Sequence, residues 1–354
     1  MCENARPNLF DYAKKELSQD AMICWLIRWA DERFAQADRA LHKCGREFVL
    51  ALLREHRVKS LPDVIETKVF QQDKSIDVLA RVSPDHVLLI EDKTGTKDHG
   101  GQLKRYYEHV VEGRTRLGKV RDENVFPIYL KTGNQSRHKD RKIEGATQGF
   151  YRPYRVFNRS EFLHVLRSYE GNHETLIDFR NYLECRELRT KSFQQWEDAN
   201  RSEWSWESWE GFYRYLEKTL DTGFCNWNYV ANPSGGFLGF HWSFIGVNGN
   251  GAPEIFLQLE ASPKHNRHLL CFKVHKATKP MRQDLKWKWY KRIRDAGGGK
   301  VVRPPVMRAG WSMTVGHWEG EWLMFTDRKI DLAGTVENLK AAEEIMLRAA
   351  GQPS

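Results

Sequence analysis

Residues 75–93 read Ser-Ile-Asp-Val-Leu-Ala-Arg-Val-Ser-Pro-Asp-His-Val-Leu-Leu-Ile-Glu-Asp-Lys. Ser75–Arg81 and His86–Glu91 each fit a strand, and together they predict a hairpin. The unbroken run Val87, Leu88, Leu89, Ile90 suits a strand buried on both faces. Side chains alternate along a strand, so Glu91 and Lys93 project from one face and Asp92 from the other. Hairpin pairing brings Asp77 towards Glu91 at the same end of the sheet. Two such carboxylates repel when both are ionised, unless a cation compensates. A divalent metal does this and prefers hard oxygen ligands. It also polarises phosphate and lowers the pKa of bound water. In that setting Lys93 is expected to orient the hydrolytic water or stabilise charge developing on phosphorus, and the Asp92 carbonyl can add a ligand. An acid–x–Lys triplet alone is common on solvated strand edges; the apolar run before it and Asp77 upstream raise it to a candidate phosphodiesterase centre.

Around this hairpin the chain reads as α/β. Apolar spacing predicts a helix within Leu9–Ala35 and a second over Glu47–His56. A strand precedes the hairpin near Asp63–Phe70, where Glu66 reads as a solvent-facing residue or, if the register points it inward, as one that approaches the carboxylate cluster. Gly95, Gly100 and Gly101 mark the exit from the last strand, followed by a helix from Gln102. Further strands are expected at Val125–Leu130 and Tyr154–Phe157, and residues 160–195 read as largely helical. Composition then changes: eleven of the thirteen tryptophans lie at or after Trp196. The acidic, Trp-rich stretch 196–209 places a boundary near 195–210. This divides the chain into residues 1–195, an α/β domain with a helical extension, and residues 196–354, a Trp-rich and basic α+β accessory region. Strands at Glu254–Glu260 and Leu269–His275 and a closing helix at Val336–Ala349 make up the latter.

The Asp77, Glu91-Asp92-Lys93 pattern resembles the PD-(D/E)XK nuclease superfamily, with its restriction-endonuclease-like fold and central mixed sheet. Ile76-Asp77 stands where that family has Pro-Asp, which leaves the carboxylate in place. Two flanking stretches add to the resemblance, which spans roughly residues 8–160. Phe10-Asp11-Tyr12 with Glu16-Leu17-Ser18-Gln19-Asp20 is similar to the N-terminal helix of a nuclease subgroup, making Glu16 an additional active-site acid that can ligate metal. Gln102-Leu103-Lys104-Arg105-Tyr106 is similar to the subgroup's Q-L-x-x-Y segment. Gln102 and Tyr106 are four apart and share a helical face, where Gln102 would organise the centre and Tyr106 would touch phosphate or pack. The resemblance implies catalysis by Asp77, Glu91, Lys93, Glu16 and Gln102. It also implies Mg2+, with Mn2+ as substitute, held by Asp77, Glu91, Asp92 and Glu16.

The 354 residues carry 56 Lys plus Arg against 47 Asp plus Glu, a formal charge of +9. That balance supports a polyanionic partner. The segment Lys264–Arg308 concentrates it, with 14 basic residues against Asp284 and Asp295 alone. Within it, Lys286-Trp287-Lys288-Trp289-Tyr290-Lys291-Arg292 interleaves aromatics with cations, as a base-stacking surface would, or as an amphipathic helix with core aromatics would. Lys97, Tyr106, Lys286, Lys288, Lys291, Arg292 and Arg294 are therefore the candidate nucleic-acid contacts. Hydrophobic residues at 40% and charged residues at 29% exclude wholesale disorder. No apolar stretch is long enough for a conventional membrane span. Scattered cysteines and the lack of a secretion-signal pattern suggest a reducing cytoplasm. Gly235-Gly236 lacks the spacing of a phosphate-binding loop, and His265 and His268 lack the cysteine partners of a zinc site. Residues and resemblance together point to a metal-dependent nuclease with DNA the expected substrate. The resemblance to the nuclease subgroup further implies a setting in prokaryotic defence or genome maintenance, with a homodimer or an activating partner as the expected assembly. Two alternatives stand beside it: a catalytically weak nucleic-acid-binding or regulatory protein, and a structural interaction module of a larger complex.

Overall fold

The computed structural model describes residues 7–13, 16–60, 65–95, 101–220, 223–232, 235–246, 253–262 and 266–352. They fall into two compact units: Met1–Asn134 with Asp140–Leu188, and Gln135–Lys139 with Arg189–Ser354.

The first unit opens with α1 (Glu16–Trp29) and α2 (Arg39–Arg54). The hairpin strands follow: β1 (Lys68–Asp73), β2 (Ile76–Ser83) and β3 (His86–Lys93). Next come α3 (Gln102–Val111), β4 (Val125–Lys131), α4 (Arg137–Ala146), β5 (Arg155–Asn158), α5 (Arg159–Arg167) and α6 (Glu174–Lys191). The sheet is mixed, in the order β1-β2-β3-β4-β5. β1, β2 and β3 pair antiparallel, while β3, β4 and β5 pair parallel. This is the α/β core with a central mixed sheet that the sequence predicts.

Both faces of the sheet are covered, which explains the continuous apolar run in β3. Leu88 and Ile90 join Ile23, Leu26 and Ile27 of α1 and Phe48 and Leu52 of α2 in one core. Val87 and Leu89 join Leu103, Tyr106, Tyr107 and Val110 of α3 in another. α2 begins eight residues before the expected start at Glu47, because the Asp38 side chain caps it by accepting the Leu41 N–H at 2.9 Å.

One half-buried histidine makes this unit sensitive to acid. His56 Nε2 lies 3.0 Å from the Pro127 carbonyl, and burial pulls the imidazole down to about 4 from 6.5. The unfolded chain therefore binds more protons between those values, so stability is full above 6.5 and is lost as pH falls towards 4. The loss should reach about 3 kcal/mol. Urea unfolding of wild type and His56→Gln at pH 7 and pH 4.5 checks it; equal acid sensitivity of the two would refute the assignment.

The second unit is α+β. It contains α7 (Trp206–Thr219), β6 (Cys225–Val230), β7 (Phe237–Gly246), β8 (Glu254–Ser262) and β9 (Arg267–His275). α8 (Arg282–Gly297), β10 (Val301–Val302), β11 (Met313–Trp318), β12 (Met324–Thr326), β13 (Lys329–Asp331) and α9 (Leu332–Ala350) complete it. An antiparallel sheet in the order β10-β11-β9-β8-β7-β6 forms its floor. Alternate residues of β8, Ile255, Leu257, Leu259 and Ala261, enter a core with side chains of α7, α8 and α9. Trp196, Trp204 and Trp209 belong to the same core, with Trp196 and Trp204 stacked at 4.1 Å. The Trp-rich stretch is therefore packing material. Among the described residues, no helix is long and apolar enough to cross a membrane.

Candidate active site

The hairpin register places the candidate triad. Val78 pairs with Ile90, so Asp77 lies opposite Glu91 at the end of β2 and β3. The Asp77 Oδ2 accepts the Asp92 backbone N–H at 2.9 Å and lies 3.5 Å from the Lys93 ammonium. Lys93 Nζ sits 2.5 Å from Glu91 Oε1 and also donates to the Asp92 carbonyl at 3.1 Å. Asp77, Glu91 and Lys93 thus converge. Asp92 points its side chain to the opposite face, as the alternation predicts, where it is fully buried and accepts from Gln19 Nε2 at 2.5 Å.

Helices fix the flanks. Gly101 caps α3 in a left-handed conformation, φ +79°, which glycine adopts without strain. In the next residue, Gln102, Nε2 donates to Glu91 Oε1 and to the Tyr106 hydroxyl, both at 2.8 Å. Tyr106 is buried, so its role here is to hold Gln102. Glu16, the first residue of α1, accepts the Thr94 N–H at 2.9 Å, and its charge favours the protonated form of Lys93.

Burial comes first in the electrostatics. It pushes the Glu91 carboxyl up to about 8, with Asp77 adding to the shift and Lys93 opposing it. Burial also works against the Lys93 cation, but Glu91 and Asp77 outweigh it and hold the ammonium above its ordinary range. Lys93 in this arrangement is a charge and a hydrogen-bond donor rather than a base.

Sequence reasoning missed a second layer behind the triad. Asp20, one turn beyond Glu16 in α1, is buried. Its Oδ2 accepts from Gln72 Nε2 at 3.1 Å, and the same nitrogen donates to Asp77 Oδ1 at 3.0 Å. Burial and then the neighbouring Asp77 push Asp20 up to about 6; burial and then Asp20 push Asp92 well up. Asp20 Oδ1 and Asp92 Oδ2 are buried and have no ordinary hydrogen-bond partner. One proton shared between these carboxyls satisfies both. Gln19 continues the network, accepting from Thr132 Oγ1 at 2.8 Å. Gln19 and Asp20 close the Glu16–Asp20 stretch that carries the resemblance, but no sequence spacing signals these contacts with Gln72, Asp77, Asp92 and Thr132.

The exit of β4 is fitted closely to the site. A Cβ at Gly133 would overlap the Thr94 carbonyl oxygen. Gly133→Ala should therefore cost about 1–3 kcal/mol and disturb the segment just past Lys93, which chemical denaturation measures. An unchanged unfolding midpoint would show that the overlap relaxes freely.

The nucleic-acid candidates divide. On α8, Leu285, Trp289 and Ile293 are buried at helical spacing, whereas Trp287 is 46% exposed. Lys288, Lys291 and Arg292 are exposed. Arg294 is also exposed but pairs with Asp295 at 2.8 Å. Lys286 is buried, with its ammonium 3.4 Å from the Met307 carbonyl. Lys97 lies outside the described residues.

Among the described residues, no group of three or more His, Cys, Asp or Glu side chains is arranged to hold a metal ion. Magnesium does not require one, since it is commonly bound by one or two carboxylates plus waters and substrate phosphate. Asp77 and Glu91 fit that demand. Glu91 Oε2 is buried without a hydrogen-bond partner, an oxygen that a hard cation would satisfy.

The mixed sheet thus carries two carboxylates and a lysine at the end of its central hairpin. A family match agrees: the chain belongs to the PD-(D/E)XK nuclease superfamily, whose pattern it fits over residues 7–218. Members generally perform metal-dependent phosphodiester hydrolysis. The match reaches well past residue 160 and includes α6 and nearly all of α7. No curated protein and no solved structure matches the chain.

Proposed function

We propose that this chain is a Mg2+-dependent nuclease, acting as an endonuclease on DNA in the cytoplasm of a prokaryote, in defence against phage or in genome maintenance. The observation that bears most weight is the placement of the Lys93 ammonium against both Asp77 and Glu91, with Gln102 fixing the Glu91 carboxylate. Asp77 and Glu91 would hold the metal, Glu16 would contribute to the acidic field, and the Asp92 carbonyl is a further oxygen beside them. The bound ion would supply phosphate polarisation and a more acidic water. Lys93, kept protonated by its carboxylate neighbours, would orient that water and stabilise charge on the phosphoryl oxygens. Gln102 would prevent rotation of Glu91 during the reaction. The exposed Lys288, Lys291 and Arg292, with Trp287 beside them, would contact the nucleic-acid backbone and an unpaired base. Cutting both strands calls for a homodimer, an activating partner or two successive nicks.

The experiment is a substrate panel: circular duplex, linear duplex, single-stranded DNA and RNA, each with Mg2+, Mn2+ or EDTA. Nicking or linearisation of the circle with metal supports the endonuclease reading. Cleavage confined to linear ends would replace it with an exonuclease, and cleavage confined to RNA would replace the substrate. Binding without cleavage of any substrate would favour a regulatory, nucleic-acid-binding role.

A further inference from the structure

Resting on the nuclease reading, we infer that Asp20 and Gln72 form a positioning arm that sets the orientation of Asp77 for metal binding, outside the Asp77-Glu91-Lys93 triad itself. The arm starts in the buried interior and ends on the reacting side of the sheet. Asp20 Oδ2 anchors the Gln72 carboxamide, and the same Nε2 reaches Asp77 Oδ1. The other Asp77 oxygen is held by the Asp92 backbone N–H. Asp77 is therefore gripped at both oxygens, once by the β3 backbone and once by this arm.

The local backbone is shaped to allow it. Gln72 has φ +53°, and Lys74 and Ser75 in the β1–β2 turn have φ +54° and +66°. Residues other than glycine seldom take this conformation, and such outliers cluster where a surrounding site over-determines them. Gln72 lies between the paired positions Gln71↔Val78 and Asp73↔Ile76. The hairpin is braced on either side: Gln71 Nε2 donates to the Leu17 carbonyl at 3.0 Å, and the Arg116 N–H donates to Asp73 Oδ2 at 2.8 Å. The turn is thus tied to both α1 and the segment after α3, with the Gln72 side chain directed to Asp77. The Thr132–Gln19–Asp92 hydrogen bonds hold the α1 end of the arm in register with β3 and β4.

The arm makes no contact with the Lys93 ammonium among the hydrogen bonds described, so its effect should fall on metal affinity and kcat through Asp77. Partners that orient a metal ligand commonly matter by about 10–100-fold. Gln72→Ala and Asp20→Ala should each weaken Mn2+ binding, measured by calorimetry without substrate, by about tenfold. Asp20→Asn keeps an acceptor for Gln72 and should restore most of the affinity. Both alanine variants should lower kcat on nucleic acid with little change in KM, and in an Asp77→Asn background Gln72→Ala should have no further effect on Mn2+ binding. Thermal unfolding of each variant separates misfolding from misplacement, and Gln72, being exposed, is the substitution least able to disturb the core.

Wild type that binds Mn2+ and cleaves, beside Gln72→Ala and Asp20→Asn variants that do so equally and an Asp20→Ala variant that also does, overturns the arm and leaves the nuclease reading standing. Wild type that neither binds Mn2+ nor cleaves overturns both. An equal loss for Asp20→Asn and Asp20→Ala, with Gln72→Ala unaffected, also overturns the arm.

Discussion

Lys93→Ala should reduce phosphodiester cleavage by about a thousandfold, the scale of losing a positioned donor and charge in a catalytic centre. Two consequences separate this from simple unfolding. Lys93 is buried between Asp77 and Glu91, so its removal strips Asp77 of its cation and holds the Glu91 proton more tightly still. Losing a charged hydrogen-bond partner in this way costs about 1.5–3 kcal/mol. The variant should therefore melt lower than wild type when free of metal. It should also gain more thermal stability from Mn2+ than wild type does, because the ion then takes over the neutralisation. Cleavage assays paired with melting curves, with and without Mn2+, read both effects. A variant that cleaves at the wild-type rate, or that melts like wild type both with and without Mn2+, would remove Lys93 from the centre.

Asp77→Asn and Glu91→Gln should have an effect of similar size through the metal. Each removes one of the two carboxylates placed to bind it, and Mn2+ affinity should fall more than tenfold for either, with cleavage falling about a thousandfold. The wild-type affinity should also depend on pH with a defined sign. Burial and then Asp77 hold the Glu91 proton up to about 8. Metal must displace that proton below this value, so binding tightens as pH rises from 6.5 towards 8 and levels off above it. Calorimetry at pH 6.5, 7.5 and 8.5 measures the trend. Flat affinity across that range would mean that the Glu91 proton does not compete, and tight binding by Asp77→Asn would place the metal elsewhere.

The hairpin was the most legible part of the molecule. Strand alternation alone puts Glu91 and Lys93 on one face and Asp92 on the other, and the apolar run Val87–Ile90 announces a sheet covered on both sides. The interior of α8 was also written in its period, with Leu285, Trp289 and Ile293 four apart and buried. The start of α2 was hidden because residues 39–43 are mostly polar; only the Asp38 cap marks it. Lys286 reads as one cation among several, yet the helix turns it inward beside Met307. Asp20 and Gln72 were illegible for different reasons. Asp20 reaches the site only because α1 packs across β1, β2 and β3, a non-local consequence of the fold. Gln72 depends on a left-handed backbone that its residue type does not advertise.

The most direct measurement is the initial cleavage rate of wild-type protein on labelled circular duplex DNA as Mg2+ is added, chelated with EDTA and restored. The Asp77-Glu91-Lys93 centre predicts cleavage that appears with Mg2+, stops with EDTA and returns with fresh metal. Cleavage that persists in EDTA, or its absence at every metal concentration from a folded protein that still binds the DNA, would contradict it.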